Sequence, residues 1–319
     1  MNKDYWSGKK VLVTGGAGFL GKHLVPELNS MNADVFVPRS KEYDLRKETD
    51  VDTLFKEHEP DIVVHMAVHG GGIGYMKKHP GSIFYDNTMM NTLIVEKSRQ
   101  YDVKKFTGIG TVCSYPKYTP VPFMEEDIWN GYPEETNAPY GMSKKMLMVQ
   151  TQAYREQYDL NGIHLLMVNM YGPHDDFDLE SSHVIPALIR KFTDAVNTDK
   201  NEVEVWGTGQ ASREFLYAED AAKAIILATE RFNEPYPVNI GVGSEIKIKD
   251  LVELIAELCD YEGHIRWDTS KPDGQPTRCL NVDKAKEAFG FEAKTDFRKG
   301  LLKTIKWYKR EYMEQGAGK

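Results

Sequence analysis

Cysteine is scarce in this chain. Cys113, Cys259 and Cys279 are the 3 present in 319 residues, an odd, widely spaced set that fits neither a disulfide framework nor a CxxC metal or redox site. Free thiols are the simplest reading. Long apolar runs are missing too: no segment approaches the ~18 residues that mark a membrane-crossing helix, so no membrane span is expected. The opening Met1–Trp6 (MNKDYW) lacks the apolar stretch of a signal peptide, which makes the cytoplasm the expected compartment. Basic residues are not in excess. With 40 Lys and Arg against 48 Asp and Glu the formal charge is −8, which opposes a nucleic-acid partner because polyanion binding draws on clustered cations. A nucleotide-sized anion needs only a few placed arginines. Internal repeats are absent, and His65, His69 and His79 do not make a metal-ligand spacing, so no metal is expected.

What is present is alternation. Lys9–Thr14 (KKVLVT) is a short apolar run ending in Gly15 and Gly16, after which Phe19, Leu20, Leu24, Val25 and Leu28 recur at helical spacing. Ala33–Pro38 reads as a second strand, Val51–Glu57 as a short helix and Asp61–Ala67 (DIVVHMA) as a fully buried third strand. Helices near 82–99 and 143–158 lead to strands at Lys105–Ile109 and His164–Asn169. Strands alternating with helices imply right-handed crossovers and a parallel sheet covered on both faces. The expected class is α/β, a Rossmann-type doubly wound parallel sheet. After Asn169 the rhythm breaks into shorter elements, with helices near Val184–Asp194, Asp220–Glu230 and Lys249–Cys259. These predict a smaller mixed α/β substrate lobe. Residues 1–172 and about 213–241 are assigned to the dinucleotide-binding unit, and about 173–212 and 242–319 to the lobe, with 315–319 a frayed tail.

Between the first strand and helix, Gly15, Gly18 and Gly21 allow a tight turn, close approach of backbone to a diphosphate, and close helix–strand packing. The helix N-terminus then faces the phosphates. A rival reading overlaps it, since Gly16–His23 (GAGFLGKH) nearly matches a phosphate loop. His23 stands where that loop needs a hydroxyl for magnesium, which excludes it. At the end of the second strand stands Arg39 rather than the Asp or Glu that accepts from an NAD ribose; a guanidinium pairs instead with a 2′-phosphate, so NADP(H) is the expected cofactor. A solvated surface arginine is the alternative. Tyr140 and Lys144 form YxxxK, one turn apart if a helix begins there, and the ammonium is expected to lower the phenol's pKa. Thr111 follows the fourth strand and can hydrogen-bond a substrate carbonyl at the sheet's carboxyl edge.

The chain resembles the extended short-chain dehydrogenase/reductase family, and within it the branch that epimerises and reduces a GDP-linked 4-keto-6-deoxy sugar. The resemblance spans nearly the whole chain through Gly110–Lys117 (GTVCSYPK), Asn137–Tyr140 (NAPY), Asn169–Asp175 (NMYGPHD), Ser182–Leu188 (SHVIPAL), Val205–Gly209 (VWGTG), Arg213–Leu216 (REFL) and Lys271–Gly274 (KPDG). It implies a triad of Thr111, Tyr140 and Lys144, with Cys113 and His183 as base and acid of a 3,5-epimerisation that precedes 4-keto reduction by NADPH. It sets Phe19, Leu20, Ala67, Asn169, Lys144 and His183, with the glycine turn, against the cofactor. Lys191, Trp206, Arg213 and Asp273 fall to the nucleotide sugar. It also implies a homodimer through the helices at 82–99 and 143–158. Three departures stand out: Thr111 replaces a serine, Ala17 an arginine that some members carry for the 2′-phosphate, and Lys191 an arginine near the nucleotide. Residue by residue, Cys113 alternatively reads as a small buried hydrophobe, His183 as a helix cap and Trp206 as core. Reductase-only chemistry, action on another sugar such as a heptose, or NADP(H) sensing without catalysis are the competing functions.

Overall fold

A computed structural model of the chain describes residues 1–271 and 273–313; Pro272 and the expected frayed tail at 315–319 lie outside the described residues. In chain order the elements are α1 (Lys3–Trp6), β1 (Lys10–Thr14), α2 (Gly21–Ser30), β2 (Asp34–Phe36), α3 (Glu48–His58), β3 (Ile62–His65), α4 (Ile73–Lys78), α5 (Pro80–Gln100), β4 (Lys105–Thr111), α6 (Ala138–Tyr158) and β5 (Gly162–Met167). There follow β6 (Asn169–Tyr171), α7 (Val184–Asn197), β7 (Glu202–Trp206), β8 (Ser212–Arg213), β9 (Phe215–Tyr217), α8 (Ala218–Arg231) and β10 (Val238–Ile240). β11 (Ile246–Lys247), α9 (Ile248–Leu258), β12 (His264–Asp268), α10 (Asp283–Phe289) and α11 (Phe297–Tyr308) complete the order.

Six strands form one parallel sheet in the order β10-β5-β4-β3-β1-β2. Side chains alternate faces along a strand, and β1 shows the consequence: Val11 and Val13 join one buried cluster with Leu24, Leu28 and Ile225, while Leu12 joins another with Leu54, Phe55, Ile94 and Leu147. Helices cover both faces, so β3, β4 and β5 are buried along their length. The fold is the expected doubly wound Rossmann type. From β1 the chain moves to one edge and returns with β3 on the other side, which opens a crevice beyond the carboxyl ends of β1 and β3.

The smaller lobe has its own core, where Phe192, Leu251, Ile255, Leu301 and Ile305 pack with Val203 and Val205. β7 and β12 pair in parallel beneath it. One segment departs from the expected division: Ala285, Phe289 and Phe291 pack into the large sheet's core, not the lobe's. α6 also starts earlier than the pattern at 143–158 suggests, because Pro139 fits a first helical turn, where its missing N–H costs nothing.

Candidate active site

Between the carboxyl edge of the sheet and the smaller lobe lies a cavity of about 1260 Å³. Gly15, Gly18, Phe19 and Leu20 line one end with Arg39 and Ala67, Thr111, Cys113, Tyr140, Lys144, Asn169 and His183 line the middle, and Lys191, Trp206, Arg213 and Asp273 line the other end. Gly21 does not line it. A Cβ there would fall 2.2 Å from the Gly16 carbonyl oxygen, so this glycine serves the close packing of α2 on the turn. α2 carries no acidic residue in its first turn, and the exposed Arg39 ends β2's connection. A dinucleotide diphosphate with a 2′-phosphate suits this end.

At the middle, β4 delivers Thr111 and α6 delivers Tyr140 and Lys144 from its first two turns. The two segments are tied by Ser114, whose hydroxyl donates to the Gly141 carbonyl at 3.0 Å. Thr111 Oγ1 accepts from the Cys113 amide at 3.2 Å, which leaves the hydroxyl proton free to donate. The expected lowering of the Tyr140 phenol is overturned. Burial, with the nearby Cys113 charge adding to it, pushes the phenol upward against a smaller opposing pull from Thr111. Lys144 Nζ stands 6.0 Å from the ring centroid and is not among the groups that set the phenol's shift. Burial also pushes the ammonium down to about 8. Tyr140 is therefore a protonated donor near neutral pH.

Cys113 sits in a single 3₁₀ turn after β4 and is only partly buried, opening on the cavity. Arg278 Nη1 donates to its sulfur at 3.5 Å. His183 occupies the N-cap position of α7, yet its side chain makes no capping hydrogen bond. The ring is exposed to cavity solvent while the walls enclose it, and this enclosure lowers the imidazole's pKa, Asp176 opposing and Arg278 adding to the effect.

At the far end Trp206 is 50% exposed and so is not core; the Lys271 and Lys191 ammonium groups stand 5.2 and 5.9 Å from its ring centroid. Arg213 donates to the carbonyls of Ser212 at 2.6 Å and Asp273 at 2.9 Å. The Asp273 carboxylate is itself occupied, accepting from the amide and hydroxyl of Thr208 at 2.7 Å each. Lys191 donates to the Glu204 carbonyl at 3.0 Å. Asn169 Nδ2 donates to the Glu214 carbonyl at 3.2 Å. The buried Glu214 carboxylate accepts from the amides of Val242, Gly243 and Leu280 at 2.5, 2.8 and 2.6 Å, and so braces the loops behind Arg213.

Residues 11–241 match the NAD dependent epimerase/dehydratase family. The chain belongs to this family. Its members are of the extended short-chain dehydrogenase/reductase type. A probable GDP-L-fucose synthase from Oryza sativa subsp. japonica is 37% identical over 94% of this chain and 92% of its own. A GDP-6-OMe-4-keto-L-xylo-heptose reductase from C. jejuni superposes with a TM-score of 0.90 at 25% identity, covering 98% of this chain and 99% of the other. A GDP-L-fucose synthetase from Naegleria fowleri bound to NADP gives 0.88 at 26% identity, with 96% of both chains covered.

Among the cavity residues to which the sequence assigns no role are Asp175, Gln275 and Arg278. Asp175 is buried, and burial pushes its carboxyl up to about 7 while the Asp176 amide opposes the shift. Gln275 immediately follows Lys271–Gly274 and Arg278 comes three residues later, so continuing that motif was the signal available. Among the described residues no group of three or more His, Cys, Asp or Glu is placed to hold a metal ion.

Proposed function

We propose that this chain is an NADP-dependent oxidoreductase and epimerase that inverts C3 and C5 of a GDP-linked 4-keto-6-deoxy sugar and reduces its C4 ketone. The observation that carries the reading is the meeting of Thr111, Tyr140 and Lys144 with Cys113 and His183 on one cavity. Carbons beside a ketone are acidified because the resulting enolate spreads onto oxygen. Cys113 takes the proton from such a carbon, and His183 returns one to the opposite face. Bound NADPH supplies the hydride for C4. Tyr140, protonated at neutral pH, gives its proton to the C4 oxygen, and Thr111 donates a hydrogen bond to that oxygen. Gly15, Gly18, Phe19, Leu20, Ala67, Asn169 and Lys144 face the cofactor and Arg39 its 2′-phosphate. Lys191, Trp206, Arg213 and the Asp273 backbone receive the nucleotide.

Residues 1–172 and 213–241 serve the cofactor in this reading, and 173–212 with 242–319 serve the sugar nucleotide, apart from α10. The protein works as a cytoplasmic homodimer through α5 and α6, whose Phe84, Tyr85, Met146 and Val149 are exposed. Sedimentation showing only monomer at micromolar concentration counts against the dimer.

The deciding experiment is incubation of the GDP-linked 4-keto sugar with NADPH in deuterated water. Deuterium at C3 and C5 of a C4-reduced product is expected. Reduction without deuterium supports the reductase-only reading, which the likeness to the heptose reductase favours. Failure to oxidise NADPH with GDP-, UDP-, CDP- or dTDP-linked 4-keto sugars overturns both.

A further inference from the structure

Arg278 is only 7% exposed and lines the cavity. Besides donating to the Cys113 sulfur at 3.5 Å, it donates through Nε to Gln275 Oε1 at 2.7 Å. Gln275 is buried and donates in turn to the carbonyls of Pro116 and Lys117 at 3.4 and 2.9 Å. The arginine is thus braced against the same segment that carries Cys113. No carboxylate among the described residues pairs with it.

A buried cation is costly unless an anion answers it. Gln275 is neutral. The charge of Arg278 is also felt at His183 and Arg213, which it disfavours as cations. Around Cys113 the other facing groups are Tyr140 from α6, Arg213 from β8 and the Thr111 hydroxyl. Of these groups the sulfur is the one that the Arg278 guanidinium donates to.

We propose that Arg278 is a positioning residue for carbon–proton abstraction: it aims the Cys113 sulfur into the cavity and holds it as the thiolate. The inference rests on Cys113 being the base of the proposed epimerisation. A thiolate is negatively charged and a far stronger base toward a carbon-bound proton than a thiol. The ring C–H bond breaks, an S–H bond forms, and the electron pair moves onto the ketone oxygen. The electron pair then returns from oxygen to the carbon as the His183 imidazolium N–H bond breaks and delivers its proton to the opposite face, leaving neutral imidazole. Arg278 neither gains nor loses a proton in the sequence; it sets the resting state of the base.

The test reads the sulfur directly, without substrate. Iodoacetamide alkylation of Cys113 in the intact protein, quantified by peptide mass spectrometry from about pH 5 to about 10, reports the midpoint at which the thiolate appears. Buried Cys259 and Cys279 are internal controls. Arg278→Gln should raise the midpoint and slow alkylation at neutral pH about tenfold, the equivalent of one pH unit; Arg278→Lys, which keeps the charge, should restore most of it. A merely structural arginine would lower the melting temperature in both variants and leave the midpoint in place, and that result overturns the proposal. Should Arg278→Gln not fold, Gln275→Leu carries the test, since it releases the brace but keeps the cation; an unmoved midpoint there overturns it equally. With substrate in deuterated water, Arg278→Gln should lose ring deuteration by ~10²-fold while binding NADPH normally. A shifted midpoint together with no deuteration in the parent protein sinks the epimerase reading and leaves the Arg278–Cys113 coupling standing.

Discussion

At the rim of the cavity Arg39 is exposed and makes no ion pair among the described residues, whereas the neighbouring Arg46 is held by Asp44 at 2.8 Å and by Asp86 at 3.2 Å. Arg39 is therefore the guanidinium free to receive a 2′-phosphate. Arg39→Asp should reverse a preference for NADPH over NADH, with NADPH binding weakened at least ~10-fold for the lost charge-assisted bond. Equal affinities in the parent protein, measured by titration calorimetry, would defeat the assignment. Tyr140→Phe removes the proton donated to the C4 oxygen, so NADPH oxidation should fall by ~10²–10⁴-fold while solvent exchange at the ring carbons continues. Cys113→Ser should do the reverse. Lys144 supplies a third check. Its folded value, about 8, lies below that of an ordinary lysine, so the ammonium is present below that pH and lost above it. A reduction step that uses the positive charge should fade as pH rises through about 8, and a flat rate there would show that the charge is not required.

Among the elements, the glycine-rich segment before α4 holds the loop that leads into α7. The Gly72 amide donates to the Ser181 carbonyl at 2.6 Å, and a Cβ on Gly72 would fall 2.5 Å from the Ser182 carbonyl oxygen. A contact that short requires backbone to move, and the next residue along is His183. Gly72→Ala should thus displace the proposed acid and cut ring deuteration ~10-fold or more while NADPH affinity stays constant, because the Gly15–Leu20 end of the cavity is untouched. Unchanged deuteration would show that the loop absorbs the methyl. Nothing in the sequence pattern exposes this latch: Gly70, Gly71 and Gly72 have no side chains to show periodicity, and α4, Ile73–Lys78, is too short for a helical period to show. The strands β1 and β3 are legible for the opposite reason, since burial demands the apolar runs VLV and IVV. The YxxxK pair is legible because both residues lie on one helix. Arg278 is not, because its meaning comes from a sulfur 165 positions away. The expected fall in the Tyr140 phenol failed likewise, since spacing gives the lysine but not the burial that outweighs it.

For the molecule as a whole, two histidines at the sheet's centre contribute a loss of stability in acid. His65 on β3 and His164 on β5 are fully enclosed, and burial reinforced by the Lys144 charge pushes both imidazoles down to about 3. His65 is satisfied by Thr14 at 2.7 Å and Asn91 at 2.9 Å. Among the described residues, neither ring nitrogen of His164 has a hydrogen-bond partner. Both stay neutral in the fold while the unfolded chain protonates them near 6.5. Between about 6.5 and 3 the unfolded state therefore binds more protons, and stability falls as pH falls. Each histidine contributes up to ~1.4 kcal/mol per pH unit, so the pair approaches ~3 kcal/mol per unit at its steepest. Set against a total stability on the order of 5–15 kcal/mol, a drop of roughly two units below 6.5 removes much of it. His164→Leu keeps the volume apolar, deletes one of the two proton sites and loses no hydrogen bond. Thermal melts followed by circular dichroism at a series of pH values should show the parent's melting temperature dropping below pH 6 and the variant's dropping less steeply. Equal slopes would mean that His164 takes up its proton without unfolding, through water reaching the sheet's centre, and that the acid response lies in the carboxylates instead.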